Sequence, residues 1–398
     1  MHKGQFIFSQ LIRFLPKRAF DCLVDKYEGN KWIKTFTCWN HLLVLVFAQL
    51  SNRESLRDLI TSLAPYKTYY HHLGFGKSLS RSNLSKANEI REVKIFELYA
   101  QRIISIAREK RDGIKDFFLS NNVYAFDSST ISLCLSVFWW TKLHHGKSGV
   151  KMHTLYDVKT SVPAFVIITG ADVHDSKVMD QIPYEENSFY VFDRAYMATI
   201  QLFAIAEAKA FFVVREKHRM VYEVTNDRDY NNPTTGIMSD QNIRFTGSKT
   251  KKQYPDELRR IVFYDKDDNR TFVFYTNNME VKAEDIALLY KYRWSVELFF
   301  KWMKQHLRIK EFYGTTENAV KIQIYAAIIA YCLVAIVEKE IALEMTTYDV
   351  LRVLSTSLLV KMPLNELLIA SDTELKEEKK TEQARSNALQ LEIPFEEW

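Results

Sequence analysis

Four polar groups follow one another near residue 290: Tyr290, Arg293, Glu297 and Lys304, at spacings of three, four and seven. On one continuous helix, at about 100° per residue, they fall within an arc of about 60°. Leu289, Val296, Phe299, Phe300, Met303 and Leu307 fill the adjacent arc. Such a helix packs one edge on a sheet and aims a hydroxyl, a guanidinium, a carboxylate and an ammonium together. Ordinary i,i+4 ion pairs, Arg293–Glu297 and Glu297–Lys301, account for the charges, each at a few tenths of a kcal/mol. They do not account for four different groups on one arc. Two further carboxylates stand in matching contexts, Asp127 after Tyr-Ala-Phe and Asp193 after Tyr-Val-Phe. Carboxylates at the carboxyl ends of neighbouring strands converge where α/β sites form. A lone strand-terminal Asp is most often a turn or cap residue, so the aspartates gain weight only together with Glu297. Three carboxylates in one place make a hard-oxygen set suited to Mg2+ or Mn2+.

The elements that must position these groups are strands from about residue 120 onward. Val123–Asp127, Val150–Tyr156 and Pro163–Thr169 follow closely, as antiparallel neighbours do. A helical stretch is expected from Asp175, then a strand Phe189–Asp193, a helix Met197–Ala208 and a strand Phe211–Arg215, an α/β order. Residues 216–280 are polar and rich in turn signals, with strands at Arg259–Tyr264 and Thr271–Tyr275, which predicts a β-rich insertion. Helices resume at Lys282. The expected partition is a helical, basic region over 1–110, a first part of the sheet core over 111–215 and the insertion over 216–280. The rest of the core with C-terminal helices follows over 281–370, and an acidic, flexible tail over 371–398. In the helical region, Ser80–Glu92 offers Ser82 or Asn83 as an N-cap and Asn83, Ser85, Lys86 and Asn88 to a groove. A plain capped surface helix accounts for these residues at least as well.

At 398 residues, 47% hydrophobic and 14% aromatic, the chain suits two or three globular domains with a sizeable core. Its net charge of +5 is unevenly spread: residues 1–110 hold 18 Lys and Arg against 9 Asp and Glu, and residues 371–398 hold 4 against 8. A basic N-terminal third suits a phosphate-binding arm, and also an ordinary solvated surface. Cys22, Cys38, Cys134 and Cys332 lie far apart, which points to a reducing cytoplasm and away from a disulfide framework or structural zinc. His144, His145, His153 and His174 match no zinc template. No secretory leader is expected from the first residues. Ile322–Val337 is nearly all apolar but short for a membrane span and contains Gln323, so a buried core helix is expected.

The spacing Tyr290-x2-Arg293-x3-Glu297-x6-Lys304 resembles the Tyr-Arg-Glu-Lys signature of cut-and-paste transposases in the insertion-sequence-four family. Asp193-Arg194-Ala195-Tyr196 resembles that family's Asp-Arg-Gly-Tyr motif, and Phe126-Asp127-Ser128-Ser129-Thr130 its first-aspartate strand end. Residues 1–75 resemble a helical N-terminal domain found in a subset of the family. The resemblance implies an α/β, ribonuclease-H-like mixed sheet with a β-rich insertion, preceded by an all-helical domain. It implies that Asp127, Asp193 and Glu297 hold two Mg2+ or Mn2+ ions for phosphodiester cleavage, with Asp127 bridging. Tyr290, Arg293, Lys304, Arg194 and Tyr196 are then expected to touch DNA. The implied ligands are terminal inverted repeats and target DNA. They would be cut through a hairpin intermediate and joined by a homodimer in a synaptic complex, in the cytoplasm at the nucleoid, with no membrane involved. Trp139, Trp140, Trp294 and Trp302 are candidates to stack on a flipped base, against the commoner role of core aromatics. His145, Lys147, Lys151, Lys249, Lys251 and Lys252 are candidates to follow the DNA backbone. Three clustered carboxylates should raise at least one pKa when no cation is bound. Ala195 departs from the family's Gly, and is strained if that position needs a left-handed backbone. Two other readings are a nuclease or resolvase that cuts without joining, and an inactive DNA-binding relic acting as a repressor.

Overall fold

The computed structural model describes residues 4–77, 79–111, 117–134, 136–138, 140, 143–144, 147–217, 220–228, 235–266, 269–306 and 312–391. The chain forms two compact units, one from Met1–Arg111 with Gln305–Trp398 and the other from Asp112–Lys304.

The first unit opens with helices α1 (Ile7–Leu11), α2 (Lys17–Lys26), α3 (Cys38–Leu50), α4 (Leu56–Leu63), α5 (Arg81–Ile90) and α6 (Val93–Arg111). Helix α3 begins in a capping box, with the Thr37 hydroxyl accepting from Asn40 N–H at 3.2 Å, and every residue from His41 to Leu50 is buried. Helix α5 is capped by Ser80, which accepts from Asn83 N–H at 3.2 Å, two residues before the expected Ser82. Leu84, Ala87 and Asn88 form its buried stripe at i, i+3, i+4 spacing. Asn88 therefore faces inward, its Oδ1 2.7 Å from Nε2 of the buried His41, and is not offered to a groove. Asn83, Ser85 and Lys86 are exposed, as expected.

In the second unit the order is β1 (Val123–Ser132), β2 (Leu143–His144), β3 (Lys147–Asp157), β4 (Val162–Gly170), β5 (Phe189–Phe192), α7 (Thr199–Glu207), β6 (Phe211–Arg215), β7 (Tyr222–Asp227), β8 (Ile237–Phe245), α8 (Thr250–Gln253), β9 (Leu258–Asp265), β10 (Arg270–Thr276), α9 (Ala283–Lys291) and α10 (Trp294–His306). One sheet runs β3-β1-β5-β6-β10-β9-β8-β7, with β4 and β2 on β3. Strands β4, β3 and β1 are antiparallel neighbours, whereas β1, β5 and β6 are parallel. The central strands are apolar on both faces, as parallel strands covered on both sides must be. Tyr124, Phe126, Tyr190, Phe192 and Phe212 enter a core with Leu202 and Ile205 of α7. Helix α9 packs on β5, β6 and β8.

Three expectations are corrected here. Asp175 opens no helix but two 3-10 turns, Asp175–Lys177 and Met179–Gln181. Residues 216–280 supply the strands β7–β10, which extend the same sheet through the pairing of β10 with β6. The segment from 281 onward divides between the units, since α11 (Glu317–Glu340), α12 (Thr347–Ser357) and α13 (Leu364–Leu391) belong with the N-terminal helices. Helix α11 packs against α6 and α3, and Ile322 through Val337 are all buried. Among the described residues it is the one helix long and apolar enough to cross a membrane, and it is enclosed by protein. The expected flexible tail is helical through Leu391, while Pro394–Trp398 lies outside the described residues.

Candidate active site

The second unit brings Asp127, Asp193 and Glu297 to one end of its parallel strands. The β1–β5 register pairs Phe126 with Phe192, so the next residue on each strand, Asp127 and Asp193, leaves the pair side by side. Strand β1 does not end at Asp127 as expected. It continues to Ser132 paired with β3 alone, so the carboxylate sits where β1 loses one neighbour.

Glu297 arrives from the sequence-predicted segment in a different form. Tyr290 lies in α9 and Glu297 and Lys304 in α10, and between them the chain tightens. The N–H groups of Tyr292, Arg293 and Ser295 bond to Leu289, Tyr290 and Tyr292, each at i−3. A 3-10 interruption breaks the single wheel assumed from the sequence. The apolar arc survives it: Val296, Phe299, Phe300 and Met303 are buried, with Phe299 5.4 Å from Tyr156 of β3 between ring centres. Leu307 lies outside the described residues.

Across the break the polar groups still meet. Arg293 Nη1 is 2.6 Å from Glu297 Oε1 and 3.6 Å from Asp127 Oδ2, so one guanidinium stands between two carboxylates. Tyr290 donates its hydroxyl to Asp193 Oδ1 at 3.1 Å, and its ring rests on Phe274 at 4.6 Å. Burial pushes the Tyr290 phenol up to about 12, with the Asp193 charge adding to it. Asp127 Oδ1 accepts from the Ser128 N–H at 2.8 Å and from the Tyr196 hydroxyl at 3.3 Å. Its carboxyl is raised to about 6, first by burial and further by Glu297, while the Ser128 N–H and Arg293 hold it down. The expected rise is thus present, with burial rather than carboxylate repulsion as its main cause.

Tyr196 is buried against Phe126 and Phe192, 5.2 and 6.0 Å between ring centres, with its hydroxyl on Asp127. It serves the carboxylate and cannot be the DNA contact expected from its motif. Arg194 is exposed beside Asp193, and Lys304 is half-buried with Nζ 3.2 Å from Thr130 O. Ala195 sits in a 3-10 turn and is not among the described residues with positive φ, so alanine carries no left-handed strain there. Trp294 is 55% exposed, Trp140 packs on Phe138, and Trp139 lies outside the described residues, as do the side chains of His145 and Lys147. Lys151 is not a backbone-tracking cation, because its Nζ is 3.0 Å from Asp175 with its side chain 11% exposed.

Sequence reasoning missed the partners of these carboxylates. Ser128 was legible only as part of a motif, and Asp175 only as the start of a helical stretch. Lys151 and His153 share a strand face at i, i+2, a spacing that flags a pair without naming what it faces.

The donor set is all-oxygen, carries net negative charge and includes a carboxylate held partly out of water, which fits a hard divalent cation. Among the described residues, no three His, Cys, Asp or Glu close into a metal-holding group. Arg293 occupies the space between Asp127 and Glu297, and supplies the positive charge there.

Residues 119–333, more than half of the chain, match the family described as Transposase DDE domain, and residues 3–76 match a domain of unknown function (DUF4372). The chain belongs to the transposases that carry a DDE domain. It is 38% identical over 216 residues to a putative transposase, y4zB, of Sinorhizobium fredii, a match that covers 54% of this chain and 59% of that relative. It is 30% identical over 281 residues to a probable transposase for insertion sequence element IS5377 of Geobacillus stearothermophilus, covering 69% of this chain and 73% of the relative. A solved piggyBac transposase synaptic complex with hairpin DNA overlaps 88% of this chain and 77% of that chain at TM-score 0.46 and 11% identity.

Proposed function

We propose that the chain is a Mg2+- or Mn2+-dependent transposase of the insertion-sequence-four type. It binds the terminal inverted repeats of an insertion sequence, cuts the ends through a hairpin intermediate and joins the 3′-hydroxyls to target DNA. The observation that carries this reading is the convergence of Asp127 and Asp193, adjacent in parallel register, with Glu297 linked to Asp127 through Arg293. Three antiparallel strands continuing into a parallel pair support the ribonuclease-H-like core that the resemblance implies.

Asp127, Asp193 and Glu297 would hold two divalent ions, which supply nucleophile activation and charge neutralisation at the scissile phosphate when bound. The chain's own groups prepare that site. Ser128 N–H and Tyr196 fix one oxygen of Asp127 and leave the other toward Arg293. Tyr290 fixes Asp193. Arg194, exposed beside Asp193, and Lys304 would take phosphates, one bidentately and one as a point charge. Because two ends must be joined, a homodimeric synaptic complex is expected, and a nucleoid location follows from the substrate.

The test is strand transfer of a labelled terminal repeat in Mg2+. Glu297→Gln should lose at least about a hundredfold in cleavage, the order of loss seen when a group serving transition-state charge is removed. Undiminished activity in that variant would end the assignment. Cut products without joined ones would favour a nuclease.

A further inference from the structure

We propose that Asp175 is a positioning residue for Asp127, acting through Ser128; the inference rests on reading Asp127 as a metal ligand. Asp175 starts the 3-10 turn after β4 and reaches back over the β1–β3 pair. Its Oδ1 accepts from the Ser128 hydroxyl at 2.8 Å and from Lys151 Nζ at 3.0 Å. Lys151 also donates to Val173 O at 2.9 Å, so the segment that carries Asp175 is tied at two points.

His153 completes the cluster from the inside. It lies opposite Ser128 in the β1–β3 register and its side chain is fully buried, with Nδ1 3.6 Å from Asp175 Oδ1. The Thr169 hydroxyl donates to Gly170 O at 3.0 Å, so it accepts from His153 Nε2–H at 2.9 Å. Nδ1 is then a bare acceptor with no hydrogen-bond partner, turned toward a carboxylate oxygen. That contact does not attract. Lys151 is the charge that balances Asp175, and His153 is the wall behind it.

The location gives the cluster its role. Asp127 and Ser128 are consecutive on β1, and the Tyr196 hydroxyl that bonds Asp127 Oδ1 also meets the Ser128 side chain. Beyond Phe126, β1 has lost β5 and is held laterally by β3 alone. Asp175 grips the first residue past Asp127 at the point where sheet support halves. The same residue's N–H donates to Asp127 Oδ1, so fixing the Ser128 side chain fixes the direction of that donor. A carboxylate that must meet metal ions depends on such outer partners, whose loss costs about ten- to a hundredfold in metal affinity.

The test is Mn2+ binding to the full-length, DNA-free chain, followed by calorimetry and by the free-ion spin signal, with thermal midpoints measured alongside. Asp175→Asn and Ser128→Ala should each weaken Mn2+ binding about tenfold or more, with the thermal midpoint within a few degrees of wild type. The double variant should bind no more weakly than the weaker single, because both changes cut one path. If unpaired Lys151 unfolds Asp175→Asn, Ser128→Ala keeps the ion pair and reads the same link. Wild-type affinity in the singles, or a double whose loss is the product of the two, would overturn the proposal. Wild-type Mn2+ affinity in Asp127→Asn would instead strike the ligand reading beneath it.

Discussion

Arg293 meets Glu297 and Asp127 with the same nitrogen, so in the protein alone its guanidinium provides the positive charge that two carboxylates require. Asp127 needs it most. Its folded value of about 6 lies above the ordinary 3.8, so its contribution to stability is complete below pH 3.8 and is lost as pH rises through 6. Arg293→Gln leaves the two carboxylates facing without a cation. Breaking a fully buried pair costs about 3–5 kcal/mol, but Glu297 is 31% exposed, which discounts the loss to about 1–2 kcal/mol. The thermal midpoint of the variant in EDTA should fall by a few degrees, and Mn2+ should raise it by more than in wild type. Equal metal-induced shifts in the two proteins would show that Arg293 does not stand in for a cation. A milder change, Tyr196→Phe, removes one of two donors to Asp127 Oδ1 without opening a cavity. It should weaken Mn2+ binding several-fold by calorimetry while stability changes by about 1 kcal/mol or less.

Elements differ in how openly their residues announce them. Seven strands, β1, β3, β4, β5, β6, β9 and β10, were legible because apolar and β-branched runs bounded by turn residues have few alternatives, whereas the two-residue β2 and the more polar β7 and β8 were not. Helices α9 and α10 were legible as helix but not as two, since the 3-10 step at Tyr292–Ser295 involves no Pro or Gly to mark it. Helix α5 was legible in place but not in orientation. Its polar Asn88 turns inward because His41 on α3 offers a buried partner, something no local pattern encodes. That pair carries a pH prediction. Burial lowers His41 from 6.5 to about 3, so the stability it contributes is complete above 6.5 and lost as pH falls below it. At pH 5 the loss is about 2 kcal/mol, and buried His153, lowered to about 4, acts in the same direction. Thermal midpoints at pH 7 and pH 5 should show the drop, and His41→Gln, uncharged throughout, should flatten it. An equal drop in that variant would place the acid sensitivity elsewhere.

At the scale of the whole molecule, one unit is continuous and the other is closed by two distant parts of the chain. The core of the closed unit is α11, whose buried face packs on α6 and α3. A chain ending at Lys304 exposes the apolar residues of α3 and α6 that α11 covers. Its N-terminal helices should lose hydrogen-exchange protection, whereas β1, β5 and β6 should keep theirs. Protection of α3 in that truncation would show the N-terminal helices to be self-sufficient. The sequence by itself marked the three carboxylates, the strand and helix segments that bear them and an apolar stretch, Ile322–Val337, suited to a buried core helix. These depend on residue type and short-range period, which a linear chain displays directly. Tertiary structure alone decided that Arg293 stands between Asp127 and Glu297, that Tyr196 turns inward and that Asp175 reaches Ser128. It also decided that α11 joins helices more than 200 residues away. Each of these sets partners far apart in sequence within a few ångströms, and the energy that selects them exists only once the chain has closed on itself.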